Sequence, residues 1–352
     1  MKTLHFVLGS LVLAGTAFGF DGATIRVEPE SLPKALYRAE PGKPEVAVDA
    51  RVEASAIEPI GDGKFVLVAH DKASELYLVE TATGRIIGPP VTSEALPATS
   101  AAGPKWEAMA RDAQGNYYAM GSHSGKDDSE KSQRSHLVRF RFKAEPAPGE
   151  APVVDPASVV KFDAAGGLAT ALGLDKGDVA KLKVEGLAVR QLGGKTEVVV
   201  GLREPSDLVR VFAAEIQDSQ GPGSPLNFQR LFAFDAGKRD GVPAALTSLE
   251  YLPNLGGFAI LTATEDSDNA FHGNTLWFLP NAAIPRTGLA RPERCLDFEV
   301  AMKAEGLAEL PTSGPKNVAR LVVAFDNDAK TTHMPSRIQV LRLTRRSTDL
   351  DD

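Results

Sequence analysis

Three short stretches of the chain carry a carboxylate in the same setting. They are Trp106-Glu107-Ala108-Met109-Ala110, Val184-Glu185-Gly186-Leu187-Ala188 and Ala304-Glu305-Gly306-Leu307-Ala308. Glu53-Ala54-Ser55-Ala56-Ile57 is a looser copy, and Leu249-Glu250-Tyr251-Leu252-Pro253 is looser again because it lacks the small residues. Repeated carboxylates that a fold brings together can hold a cation. An oxygen-rich set favours Ca²⁺, which takes roughly six to eight oxygens, and nearby histidines make Zn²⁺ or Mn²⁺ the alternatives. The other use is structural: each glutamate accepts backbone amides of a neighbouring repeat and fixes the register between repeats.

A second set of polar residues follows the β-rich run after each motif: His70-Asp71, Ser122-His123, Arg203-Glu204, Glu265-Asp266 and Asp326-Asn327. His70, His123, His136, His272 and His333 all fall in or at the edge of these loops. The expected metal ligands are therefore Glu53, Glu107, Glu185, Glu250 and Glu305, with Asp71, Asp266 and Asp326. Two carboxylates about 6 Å apart at an effective dielectric near 20 repel by roughly 3 kcal/mol, so five cannot all stay ionised and bare. Relief comes from a bound cation, from Arg203 and Lys126, or from protonation.

These residues need elements that bring them to one place. After each glutamate come a turn, a β-rich run, a polar loop and a second β-rich run. The first runs are KFVLVAH, NYYAMGS, TEVVVGL, GFAILTAT and ARLVVAFD; the second are ELYLVET, HLVRFRF, DLVRVFAAEI, TLWFLP and RIQVLRLT. Gly61-Asp62-Gly63, Gln114-Gly115-Asn116, Gly193-Gly194 and Gly256-Gly257 supply the hairpin turns. Five units of three or four short antiparallel strands predict an all-β, five-bladed β-propeller, with a degenerate sixth blade or a β-sandwich as the alternatives. In a blade the innermost strand lines the channel and the next returns antiparallel. The start of the first and the end of the second then share one mouth, where the glutamates form a ring. Small residues after them let the inner strands approach.

One domain is expected over residues 20–348, with an insertion at about 143–183 holding a Pro-rich loop and a short helix around Gly167–Leu174. Residues 24–50 are expected to add the outer strand that closes the ring, and 349–352 are expected to form a disordered tail. Lys2, the apolar run Leu4–Ala14 and Ala17-Phe18-Gly19 have the layout of a secretory leader, Met1–Gly19, cleaved before Phe20. A periplasmic or secreted protein follows. No other run is apolar for long enough to span a bilayer. Cys295 is the single cysteine, so no intramolecular disulfide is possible, and stability must come from a core. The net charge of −7 disfavours nucleic acid as a partner. A monomer is expected.

Other motifs fail on inspection. Gly121-Ser122-His123-Ser124-Gly125 does not place a serine at the centre of a nucleophile elbow. Gly125-Lys126 lacks the upstream glycine of a phosphate loop.

The order WEAMA, GSHSGK, HLVRF, then VEGLAV, VVVGLREP, LVRVF resembles an uncharacterised bacterial family, the domain of unknown function numbered three-six-one-six, over most of the chain. GSHS and GLREP are the segments most specific to it. The chain is more distantly similar to phytase-like and regucalcin or gluconolactonase propellers. The first resemblance implies a propeller-like fold without an assigned reaction. The distant ones imply an acid before glycine on an inner strand holding a divalent metal, or several acids holding calcium around phosphate. Glu185 and Glu305 match that position, while Glu107 is followed by alanine. The remaining ligand patterns of both groups are missing.

Three functions are expected in descending order. The first is a divalent-metal-binding channel mouth that takes a small or anionic ligand. The second is a metal-dependent hydrolase of a phosphoester or lactone, with His123 or His70 as general base or acid and Arg203 gripping an anion. The third is a protein-interaction platform, against which the 7% aromatic content weighs.

Overall fold

A computed structural model describes residues 18–19, 24–38, 46–47, 52–70, 75–91, 96, 105–124, 127, 134–144, 150–174, 182–217, 219–268, 270–299, 302–326 and 335–346. Its strands form five antiparallel sheets of four or more strands in chain order, each the blade of a β-propeller. Blade 1 runs outward through Ala54–Ile60, Phe65–His70, Leu76–Glu80 and Ile86–Val91. Blade 2 comprises Trp106–Arg111, Tyr117–Gly121, His136–Phe140 and Val160–Asp163. Blade 3 comprises Lys183–Leu192, Lys195–Glu204, Val209–Ile216 and Gln229–Phe234. Blade 4 comprises Val242–Leu252, Gly257–Glu265, Phe271–Pro280 and Glu293–Phe298.

Blade 5 takes three strands from the C-terminal part of the chain, Lys303–Leu310, Val318–Asp326 and Arg337–Arg345. Its outer strand is Ile25–Pro29, paired from Ile25 opposite Arg345 to Pro29 opposite Leu341. Strands from both ends of the chain thus share one sheet and close the ring. Lys34–Ala35 pairs with the start of the same Arg337–Arg345 strand.

Each innermost strand touches those of the blades on either side, from blade 1 round to blade 5 and back. Five apolar clusters fill the interfaces: Trp106 and Phe140 help fill the one between blades 1 and 2, Phe162 and Phe212 between 2 and 3, Phe232 and Phe258 between 3 and 4, Phe298 and Phe325 between 4 and 5, and Ile57 and Val322 between 5 and 1. A blade packed on both faces needs apolar side chains on both, which is why Gly257–Glu265 and Val318–Asp326 read as near-continuous apolar runs. At the centre the strands come closest. A Cβ on Gly186 of blade 3 would stand 2.8 Å from Leu246 and 3.0 Å from Leu249 of blade 4.

The 143–183 segment contains the outer strand of blade 2, Val160–Asp163, and the helix Ala165–Leu172, whose C-cap Gly173 adopts φ 65°. Among the described residues it contributes no sixth blade. Phe18–Gly19, inside the expected leader, pairs with Asp297 and Leu296 at the edge of blade 4. Residues 349–352 lie outside the described residues. No helix among the described residues is long and apolar enough to cross a membrane.

Candidate functional site

The ladder between the first two strands of every blade slips by one residue near its start. The slips bracket Ser55, Glu107, Glu185, Thr247 and Glu305. A bulge re-aims the side chain of its extra residue, so these five positions are the structural repeat. The alignment on glutamate therefore needs correcting in blades 1 and 4. Ser55, not Glu53, is the counterpart of Glu107; Thr247, not Glu250, is the counterpart of Glu185. Ser55 Oγ donates to the carbonyl of Trp106 on blade 2, and Thr247 Oγ1 to the carbonyl of Ala304 on blade 5 at 2.9 Å. The hydroxyls bridge blades where the acid is missing.

Two residues before each bulge lie Glu53, Lys105, Lys183, Ala245 and Lys303, and all five line one cavity of about 670 Å³ at the channel mouth. Three blades thus carry Lys-x-Glu, and blade 1 reverses the charge. Lys105 Nζ is 2.9 Å from Glu107, Lys183 Nζ 2.5 Å from Glu185, and Lys303 Nζ 2.8 Å from Glu305. Arg203, at the end of the second strand of blade 3, reaches Glu185 at 2.8 Å and Glu265 of blade 4 at 2.6 Å. Lys303 of blade 5 also reaches Glu265, at 3.0 Å. The chain of charge binds blades 3, 4 and 5 together.

The electrostatics follow from these pairs. Burial opposes ionisation of Glu185, but Arg203 and Lys183 overcome it and hold the carboxyl down at about 2. Glu265 is likewise lowered, against burial, by Lys303 and Arg203. Burial disfavours the charges of Arg203 and Lys303, yet the carboxylates around them raise both above their ordinary values. Arg203, expected to grip an anion, holds a carboxylate on each arm of its fork.

Glu53, Glu107, Glu185, Glu305, Arg203, Asp266 and Asp326 all line the cavity, together with Glu204 and Glu265. Glu250 does not. It lies three residues past the bulge, at the position of Glu58 in blade 1, and so at the far end of the channel. There Glu58 is buried and Glu250 and Glu309 half-buried, with an oxygen of each sealed from solvent and without a hydrogen-bond partner among the described residues. Burial above all raises Glu58 to about 8, opposed by Arg111 and reinforced by Glu309. Burial raises Glu309 to about 7. Glu250 is raised by burial and then by Glu58 and Glu309.

The histidines part company. His123 is 2% exposed, outside the cavity lining, and burial with the charge of His136 pushes it down to about 3. The sequence expected it at the mouth as a general base or acid; the structure sets it behind the lining. His70 ends the second strand of blade 1, with its ring 6.4 Å from that of Tyr77, and is not among the lining residues. His272 reaches a residue of the rim: its Nε2 is 3.2 Å from Asp266 and its Nδ1 3.1 Å from Asp240, contacts that raise its pKa, Asp266 foremost. Asp71, Asn327, His333 and Lys126 lie outside the described residues.

The lysines were missed because acids alone were aligned, although Lys-x-Glu occurs at Lys105, Lys183 and Lys303. Their presence bears on a metal. A hard cation would have to displace ammonium groups from Glu107, Glu185 and Glu305. Among the described residues no three histidine, cysteine or acidic side chains converge in a ligating set.

No family model matches the chain, and no curated protein does. Solved structures align along most of it at low identity. An exo-β-1,3-galactanase from Phanerochaete chrysosporium aligns over 88% of this chain and 63% of its own, at 8% identity and TM-score 0.46. A luciferin-regenerating enzyme aligns over 84% and 92%, at 9% identity and TM-score 0.38. A streptogramin B lyase aligns over 92% and 98%, at 8% identity and TM-score 0.34.

Proposed function

We propose that the protein is a small-molecule-binding propeller whose charged mouth takes a polar ligand bearing a cationic group. The observation that carries this reading is the lining of the cavity. Eight carboxylates face four cationic side chains in a space of about 670 Å³, within the range of roughly 300–1,000 Å³ common for small ligands. A concave surface with excess carboxylate concentrates cations and repels anions. An amine or aminosugar can join the Lys–Glu network by replacing an ammonium group, which neither a phosphate nor a bare lactone does. A divalent ion, calcium first, is the competing occupant, and it would need carboxylates that now face lysine.

The test is thermal-shift and calorimetric titration with a diamine, an aminosugar, a neutral sugar, inorganic phosphate and Ca²⁺. Binding of the amines, lost in E265Q and weakened by high salt, is the expected result. Binding of Ca²⁺ or phosphate alone, or of none, overturns it.

The leader-like Met1–Gly19 supports export to the periplasm or medium. Recovery of a chain that begins at Phe20 from either fraction tests it.

A further inference from the structure

Blade 2 holds two imidazoles that the mouth does not use. His123 follows the second strand, and both of its ring nitrogens are buried without a hydrogen-bond partner among the described residues. His136 opens the third strand, and its Nδ1 is buried and without a partner in the same way. The ladder puts them side by side. Met120 pairs with Leu137, and the amide of His123 donates to the carbonyl of Arg134 at 3.2 Å, so His123 and His136 are diagonal cross-strand neighbours. The two rings do not hydrogen-bond each other.

We propose that His123 and His136 bind a first-row transition-metal ion of the imidazole-preferring class, Zn²⁺ or Cu²⁺, at a site separate from the charged mouth. Two observations converge on it. A neutral imidazole offers one donor and one acceptor, and buried polar atoms in folded proteins are nearly always satisfied, so unmatched nitrogens on two diagonal cross-strand neighbours point to a group that both can reach. The backbone of His123 is in the left-handed region at φ 61°, a conformation that costs free energy in a residue with a side chain and recurs at binding sites. Ser122 and Ser124 beside it satisfy each other, their hydroxyl oxygens 2.6 Å apart. They leave the imidazoles as donors. Among the described residues no third histidine, cysteine or acid completes the ligand set.

The experiment is calorimetric titration of the untagged protein with Zn²⁺, repeated with Cu²⁺ under visible absorption, which reports nitrogen ligation. The expected result is one equivalent bound, with affinity at least tenfold weaker in both H123Q and H136Q and unchanged in H272Q. Circular dichroism of H136Q, whose side chain is half-buried, guards against unfolding as the cause. No binding, or binding that H136Q leaves unchanged, overturns the proposal and assigns the gap to a buried water. Neither outcome touches the mouth, where H136Q should leave amine binding intact.

Discussion

Arg203 of blade 3 clasps Glu265 of blade 4 at 2.6 Å while its other arm holds Glu185 of its own blade at 2.8 Å. One side chain thereby neutralises two carboxylates that the ring brings together from positions 62 and 18 residues away. Removing it leaves both acids partly buried and short of a partner. R203M should lose about 3–5 kcal/mol, in line with breaking one side of a buried ion pair. R203K, which keeps the charge but not the planar fork, should lose less. Urea midpoints of the three proteins check the order.

Glu185 sets an acid limit on the same contact. Its carboxyl is held at about 2, below its ordinary value of 4.5, so the stabilisation is complete above about pH 4.5 and is lost as pH falls towards 2. The unfolding free energy should fall across that window in the wild type. The fall should be smaller in R203M, whose Glu185 keeps only Lys183, as measured by denaturant titration at pH 5, 4 and 3.

The far end of the channel predicts the opposite sign. Glu58 and Glu309 are raised to about 8 and 7, so the fold holds their protons more tightly than the unfolded chain does. That contribution is complete below about pH 4.5 and is lost as pH rises through 7 to 8. After burial, Arg111 and Glu309 act on Glu58, and Glu58 and Glu309 act on Glu250. E58Q/E309Q should flatten the stability profile between pH 5 and 8.5 and gain on the wild type at the alkaline end. An unchanged slope would mean that these acids ionise freely in the fold.

The hydroxyls at the bulges of blades 1 and 4 should be worth about 0.5–1.5 kcal/mol each. T247A removes the donor to the Ala304 carbonyl, and S55A the donor to that of Trp106. Thermal melting of the single and double variants should show near-additive losses, since the two sites lie on different interfaces.

Crowding at the centre should make G306A costly. Its Cβ would stand 3.1 Å from the backbone nitrogen and the side chain of Ile57 on blade 1 and from Ala324. Backbone gives less readily than the end of a side chain, so a loss of about 1–3 kcal/mol is expected. G115A, at a turn with open space but φ 79°, separates backbone strain from packing.

Much of the propeller was legible because its signals are local. Turn glycines, β-rich runs and the recurrence of Glu107, Glu185 and Glu305 are properties of short segments, and five repeats of them leave few ways to bury the strands. The repeat position within the site was legible only where acid and bulge coincide. Glu53 and Glu250 looked like copies because they are glutamates, yet a bulge is a slip in pairing between two strands and any residue type can occupy it. Ser55 and Thr247 fill it with a hydroxyl because the neighbouring carbonyl asks only for a donor. His123 reads in the sequence as a polar loop residue at the mouth, yet the fold buries it. The carbonyl of Ser122 beside it accepts the amide of Val184 on the next blade, a contact between blades that the sequence does not show.

The amino-acid sequence by itself determined the antiparallel units, their number and the mouth at which most of their polar ends meet, since hairpin chemistry and apolar pattern act within tens of residues. Only the tertiary structure decided which charges face each other and which lose water. Lys303 and Arg203 share Glu265 because ring closure sets blades 3, 4 and 5 around one channel. Glu58, Glu250 and Glu309 hold their protons because that same closure removes solvent from the far end. Desolvation and long-range pairing are properties of the closed ring, and no single segment carries them.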